Sequence, residues 1–208
     1  RNGNIFSHPM KGTIDASIPN ALEKLMADRK ELAEHCTIVD LIRNDLSRVA
    51  TEVRVEKFRY VDQIKTNGST LLQSSSKIVG RLSSEMCGTA SPNFSIPLGD
   101  LFSKLLPAGS ITGAPKKKTV EMIKAAEQYD RGYYTGVFGY YENGVVESAV
   151  MIRYIEKEDD QYFFKSGGGI TALSDPQKEY QELIDKVYVP IIGKHQGERR
   201  QAVQSSFT

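Results

Sequence analysis

The chain has 208 residues, of which 39% are hydrophobic and 25% charged, and its charges nearly cancel to a net +1. That is enough chain to bury a proper core in one large domain or two small ones. The near-neutral balance offers no basic surface for nucleic acid, no apolar run is long enough to cross a bilayer, and two cysteines, Cys36 and Cys87, make no disulfide framework, so a reducing, cytoplasmic setting is expected.

Residues 1–13, RNGNIFSHPMKGT, read as a short strand or turn running into a loop, with Asn2-Gly3 as a turn pair and Pro9 and Gly12 bracketing Met10 and Lys11. Residues 20–48 are expected to be helical. Leu22, Leu25 and Met26 form one apolar stripe, and Leu32, Cys36, Val39, Ile42 and Leu46 form a second. Glu31 and Glu34 lie three apart in the second helix, which puts both carboxylates on one face. Such a pair is ordinarily just a solvated face. His35 reads as a hydrogen-bonded helix histidine, and Asp40, Arg43, Asn44 and Asp45 as a helix-terminal hydrogen-bond network. Residues 52–65 and 71–82 read as strands, residues 87–97 as a loop around Pro92 and Pro97, and Asp100 to Leu106 as a short helix stopped by Pro107.

The stretch from Ala108 to Lys118, AGSITGAPKKK, supplies Ser110 and Thr112 as cap types and Pro115 for a first helical position, with the helix running on through Val120, Ile123 and Ala126. A Gly-rich helix entry can bind an anion, and the lysines 116–118 sit where the helix dipole prefers acids. Residues 133–155 read as a hairpin: Tyr133 to Tyr140, an Asn143-Gly144 turn, and a return strand from Val145 to Tyr154 with Arg153 near its end. An arginine among apolar neighbours is either an edge charge or a carboxylate clamp. Gln161 to Lys165 is a further strand, and it feeds three consecutive glycines, Gly167, Gly168 and Gly169. Folding alone rarely favours such a run, but its amides can cradle an anion. A Ser-Asp-Pro turn at Ser174–Pro176 then opens a helix expected to reach Ile192, with Glu179 and Glu182 on one face. Four carboxylates drawn together would repel unless a cation such as Mg²⁺ lay between them. Residues 193–208 lack an apolar stripe and read as a loosely held tail, which leaves 1–192 as the organised part.

Several of these stretches together resemble the chorismate-utilising enzymes. They are PMKGT (Pro9–Thr13), ELAEH with IVDLIRNDLSRV (Glu31–Val49), GSITGAPK (Gly109–Lys116), YTGVFGY (Tyr134–Tyr140), the Arg153 of MIR, and SGGGI with SDP and EYQE (Ser166–Glu182). They occur in the family's order and span nearly the whole chain. The resemblance implies an α+β fold of layered, largely antiparallel sheets flanked by helices. It also implies a chain that is the C-terminal part of a catalytic domain about twice as long, so that the sheets are incomplete and a Ser-Pro-Glu acid/base stretch lies upstream of Arg1.

By the same resemblance, Gly167, Gly168 and Gly169 with Tyr134 and Arg153 hold carboxylates of chorismate, and Gly12 and Thr13 contact the substrate. Glu34 and Glu182 match ligands of Mg²⁺, and Glu31 and Glu179 match helpers that act through water or geometry. Lysine at position 11 is similar to the branch that makes 4-amino-4-deoxychorismate, where the branch that makes anthranilate has alanine. There the lysine acts as a nucleophile of lowered pKa, and ammonia comes from a separate glutamine amidotransferase subunit. Anthranilate synthase component I and a non-catalytic chorismate- or partner-binding module are the alternatives. One departure is Gln73, which stands where the family often has histidine.

Overall fold

In the computed structural model, residues 3–66, 69–83, 86, 97–172 and 174–187 are described. The loop expected at 87–97 lies, apart from Pro97, outside the described residues, as does the tail from 193 to 208.

Strand β4 (Thr70–Leu82) is the centre of the main sheet. Along one edge it pairs with β3 (Ala50–Lys65), from Ala50 opposite Leu82 to Lys65 opposite Thr70. Two short strands share the other edge. β1 (Asn4–Ser7) runs beside Ile78–Arg81, and β2 (Met10–Asp15) beside Leu71–Ser75. Between them the Ser76 amide donates to the Pro9 carbonyl at 2.9 Å. Residues 10–13, expected in a loop, are therefore strand. Every pairing is antiparallel. β4 is buried at consecutive positions instead of alternating, with Ser74, Ser75, Ser76, Ile78 and Val79 all enclosed.

Helices α1 (Ala21–Ala27) and α2 (Arg29–Leu46) meet at Asp28, which ends the first and caps the second by accepting from the Glu31 amide at 3.0 Å. The buried line of α2 runs through His35, Val39 and Leu46. The expected stripe is thus rotated by about one position at its start: Leu32 and Cys36 face outward, and His35 takes the inward place. In α1, Ala21 and Leu25 are buried while Leu22 is exposed. Three apolar clusters join helices to sheet: Ala21, Leu25 and Leu72; Val39, Leu46 and Ile78; and Val49, Ala50, Leu82, Met86 and Leu101. Leu101 belongs to α3 (Leu98–Leu105). A short α4 (Gly109–Thr112) and α5 (Lys116–Ala126) follow. Ser110 and Thr112 lie inside α4 instead of capping a helix, and Pro115 is the N-cap of α5, not its first residue.

Two hairpins complete the order. β5 (Val137–Glu142) pairs with β6 (Val145–Val150) through Asn143-Gly144, both at positive φ as a type I′ turn requires. Residues 133–136, expected as strand, form the turn leading into β5. β7 (Tyr154–Glu158) pairs with β8 (Gln161–Lys165), so Tyr154 begins a new hairpin and Arg153 sits in the bend before it, off the return strand. Helix α6 (Pro176–Asp185) starts at the Asp175 cap and stops at Asp185, short of the expected Ile192. The result is an α+β fold of antiparallel sheets with flanking helices. No helix among the described residues is long and apolar enough to cross a membrane.

Candidate active site

Lys11 owes its direction to an irregularity in β2. The register against β4 shifts between Met10 and Thr13, and within that shift Gly12 has φ +91. A β-bulge of this kind re-aims the side chains beside it, and here Lys11 turns toward α2. Its Nζ lies 2.6 Å from Glu34 Oε2. A side chain at Gly12 would be crowded and strained: a Cβ there would lie 3.1 Å from Glu31 Oε2 and 3.2 Å from Leu25 Cδ1, at a φ that L-residues rarely adopt. Beneath the bulge, the buried His35 ring meets Ser76 Oγ at 2.6 Å, and that oxygen also accepts from the Arg59 amide at 2.9 Å. The sequence reading of His35 as a hydrogen-bonded histidine agrees.

Glu31 and Glu34 from one pair and Glu182 from the other converge on Lys11. Because Asp28 fixes the start of α2, Glu31 and Glu34 fall on the turns facing β2. Lys30 also approaches Glu34, at 3.7 Å. From α6, Glu182 lies near enough for Lys11 and Lys30 to stabilise its charge, and it pairs with Lys186 at 2.6 Å. That hydrogen bond from Lys186 is the main reason the Glu182 pKa is lowered. Glu31 behaves oppositely. Burial raises its pKa, the neighbouring charges of Glu34 and Asp28 add to the rise, and its Oε2 is buried without a hydrogen-bond partner. Burial pulls the Lys11 pKa down, but the hydrogen bond and charge of Glu34, with the charges of Glu31 and Glu182, outweigh it and hold the lysine above its ordinary value. The lowered pKa expected for Lys11 is therefore not the state of this arrangement. Carboxylates surround the ammonium, and they keep it protonated.

The glycine run approaches from the other side. Gly167 is pressed against the Tyr134 hydroxyl so closely that no Cβ fits there. The Gly167 carbonyl accepts from Lys186 Nζ at 3.3 Å. A Cβ on Gly168 would lie 3.6 Å from Glu179 Oε2. The structure thus brings Lys11, Gly12, Glu31, Glu34 and Glu182 together around the lysine. It sets Tyr134, Gly167, Gly168 and Glu179 against one another beside α6. Thr13 accepts from Gln73 Nε2 at 3.4 Å, so Gln73 faces the same strand pair. Arg153 is exposed in its bend, and Gly169 has open space around it; neither is drawn into these contacts. Among the described residues, no three His, Cys, Asp or Glu side chains gather into a ready-made metal cage.

The residues that sequence reasoning passed over are basic: Lys30, Lys186 and Arg131. Their signal was present, since Lys30–Glu34, Glu182–Lys186 and Glu127–Arg131 are all four apart. The helix-terminal network expected at Asp40–Asp45 is present and reaches further than expected. Asp45 accepts from the Gly109 amide at 2.9 Å and pairs with Lys116 at 2.5 Å, and Lys116 also donates to the Leu105 carbonyl at 3.1 Å. Lys116 is thereby engaged in joining α2 to α5 and not presented to an anion.

The chain as a whole has relatives among known proteins. The chorismate binding enzymes match over residues 1–191. The chain belongs to that family. A Haemophilus influenzae protein described as an uncharacterized PabA-like protein is 51% identical over 192 residues, covering 92% of this chain and 56% of the relative. A Schizosaccharomyces pombe protein, named provisionally an aminodeoxychorismate synthase, is 38% identical over 191 residues, covering 88% of this chain and 24% of that one. The crystal structure of anthranilate synthase component I from Streptococcus pneumoniae superimposes with a TM-score of 0.70 at 30% identity, covering 89% of this chain and 39% of that one. The chain spans about half the length of curated relatives such as the Haemophilus protein. As a member of that family, the chain carries an antiparallel fold like that of the Streptococcus structure, with Lys11 at the bulge of β2.

Proposed function

We propose that this chain carries the nucleophile and much of the substrate wall of an enzyme that aminates chorismate to 4-amino-4-deoxychorismate, the precursor of para-aminobenzoate and folate. The observation that carries the reading is Lys11, aimed by the Gly12 bulge into a cluster of three glutamates. An amine there can add to a ring carbon while nearby groups manage charge. The Lys11 nitrogen bonds to C2 of chorismate as the C4 hydroxyl departs as water. Ammonia, delivered by a glutamine amidotransferase, then bonds to C4 and expels the lysine unchanged. Gly12 and Thr13, with Tyr134, Arg153 and Gly167–Gly169, would orient the carboxylates of the substrate.

The donor set fits Mg²⁺. Hard carboxylate oxygens flank the site from two helices, and Glu31 Oε2 is buried without a partner. Mg²⁺ takes one or two carboxylates and keeps several waters. Glu34 and Glu182 would hold it directly, with Glu31 and Glu179 acting through water, and when bound it would neutralise charge on the substrate carboxylate. Lys11 must be unprotonated to attack, so its pairing with Glu34 is a resting arrangement. Drawing Glu34 away from the lysine is what arms the nucleophile.

The test is intact-mass and peptide analysis after incubation with chorismate and Mg²⁺ but no ammonia. A covalent addition of chorismate less water, mapped to Lys11 and abolished by Lys11→Ala, is expected. Aminodeoxychorismate formation by Lys11→Ala would remove the nucleophile role. Anthranilate as product would favour the anthranilate synthase reading, which the Streptococcus structure keeps in view. Binding of chorismate with no adduct would favour a non-catalytic module.

A further inference from the structure

Between α5 and β5 lies a polar assembly that none of the roles above uses. Glu127 is the C-cap of α5, and Arg131 follows four residues later. The guanidinium grips this carboxylate with both arms, Nε to Oε2 and Nη2 to Oε1, each at 2.6 Å. Its Nη1 donates to Thr135 Oγ1 at 3.1 Å. The Cζ of the same guanidinium stands over the Tyr134 ring, 5.5 Å from its centroid. Only arginine joins a bidentate grip to a stacked face; lysine offers a point charge.

The backbone here is unusual. Thr135 has φ +65, left-handed for a β-branched residue. Such a conformation costs about 1–3 kcal/mol and persists only where its surroundings over-determine it. Here the surroundings are the Tyr134 amide donating to the Arg131 carbonyl at 2.9 Å, the Thr135 amide donating to the Met151 carbonyl at 2.8 Å, and the arginine on the threonine hydroxyl. The outcome is a single placement for Tyr134. Its ring lies against the cation, and its hydroxyl abuts Gly167, where no side chain fits.

We propose that Arg131, locked by Glu127, is the positioning residue that holds the Tyr134 hydroxyl against the glycine run, so that tyrosine and glycine amides meet a substrate carboxylate as one preformed surface. This rests on the reading of Tyr134 and Gly167–Gly169 as a substrate wall. Preorganisation of this kind raises affinity because no ordering remains to be done on binding. Burial raises the Tyr134 phenol pKa, the Arg131 charge opposes the rise, and Tyr129, Glu127 and Tyr154 add to it. The contact between Arg131 and Tyr134 can therefore be read without any ligand.

The experiment labels the tyrosines of the whole chain with ¹³C at Cζ and follows their titrations by NMR, with Tyr134→Phe identifying the signal. Arg131→Gln is expected to move the Tyr134 midpoint to higher pH, and Arg131→Lys to move it less; the other tyrosine signals report that the fold is kept. Chorismate, titrated with Mg²⁺ present, is expected to bind about ten-fold more weakly to both Arg131 variants. That loss should shrink to under about two-fold when Tyr134→Phe is already present, because the two residues act as a unit. An unmoved midpoint in Arg131→Gln, or an equal loss of binding in both backgrounds, overturns the positioning role. Unchanged chorismate binding by Tyr134→Phe overturns the substrate role of the tyrosine and the proposal with it. The ligand-free midpoint tells that failure apart from a missing contact.

Discussion

The two halves of the molecule are held together by different forces. In the sheet and helices up to α3, Ile78 is 0% and Val49 1% exposed, and every fully buried hydrophobic residue among the described residues lies at or before Leu101. In the hairpins and glycine run, Phe138 is 65%, Tyr162 71% and Ile170 76% exposed. There the fastenings are polar: Arg131 on Glu127, Lys165 on Glu156, Lys186 on Glu182, and the Tyr140 hydroxyl on Glu147. Apolar burial is the larger stabilising term, whereas exposed ion pairs contribute little and weaken with salt. The candidate site straddles this boundary. Lys11, Glu31 and Glu34 come from the half with a core, and Tyr134, the glycines, Glu179 and Glu182 come from the half without one. The packed half fixes Lys11, the proposed nucleophile, and the open half supplies the proposed substrate wall, which polar contacts keep in place.

The largest effect should come from testing that difference directly. Ile78→Ala removes a fully enclosed side chain between α2 and the sheet, and is expected to cost about 2–5 kcal/mol. Phe138→Ala removes a larger but exposed side chain, and should cost under about 0.5 kcal/mol. Urea unfolding of the two variants measures both. Equal losses would mean that the exposed aromatics of β5 are buried in solution, and the contrast between the halves would collapse.

A smaller effect sharpens the comparison at the site itself. Gly12→Ala puts a Cβ at φ +91 against Glu31 and Leu25 in the packed half, and should cost about 1–2 kcal/mol from backbone strain alone. The misaimed Lys11 should also lose its chorismate adduct. Gly169→Ala meets nothing within 4 Å in the open half, at a φ that is not positive, and should leave stability intact. Urea midpoints separate the two, and adduct yield tests the aim of Lys11. A stable Gly12→Ala with full adduct would show that the bulge does not aim the lysine.

What was legible in the sequence follows the same division. The strands matching β3 and β4, the paired helices, and the Asn143-Gly144 hairpin all announce themselves, because strand composition, helical spacing and turn chemistry are local signals. The bulge at Gly12 did not, since a register shift depends on the partner strand. Nor did the inward turn of His35. The spacing of Leu32, Cys36 and Val39 suits a helical stripe equally well, and only the buried hydroxyl of Ser76 across the sheet makes the polar histidine the better inward residue. At the site, the glutamate pairs and glycine run were visible as motifs. The lysines that pair with the glutamates were not read, and the hydrogen bond and charge of Glu34, with the charges of Glu31 and Glu182, reverse the expected direction of the Lys11 pKa. The lesson is physical: a nucleophilic lysine placed among carboxylates is a protonated lysine until those carboxylates are otherwise engaged.

The smallest effect concerns that same histidine and gives the packed half a pH dependence of its own. Burial lowers the His35 pKa and the charge of Arg59 lowers it further, against a partial rise from the Lys11 backbone. In the unfolded chain its value returns to about 6.5. The folded state therefore binds the proton less readily than the unfolded state. Its stability contribution is fully present above the unfolded value and is lost as the pH falls through the lower folded one. Urea unfolding at about pH 7.5 and about pH 5.5 should show a loss of stability in the parent chain that is smaller in His35→Gln, where an uncharged amide can keep the contact with Ser76. The quantity to compare is the difference between the two pH values within each protein, which is insensitive to whatever the substitution costs at both. An identical loss in the two would mean that His35 does not titrate in this window, and that the acid sensitivity lies with the carboxylates around Lys11. A loss confined to the parent would locate it beneath the β2 bulge, in the half of the site that the core holds rigid.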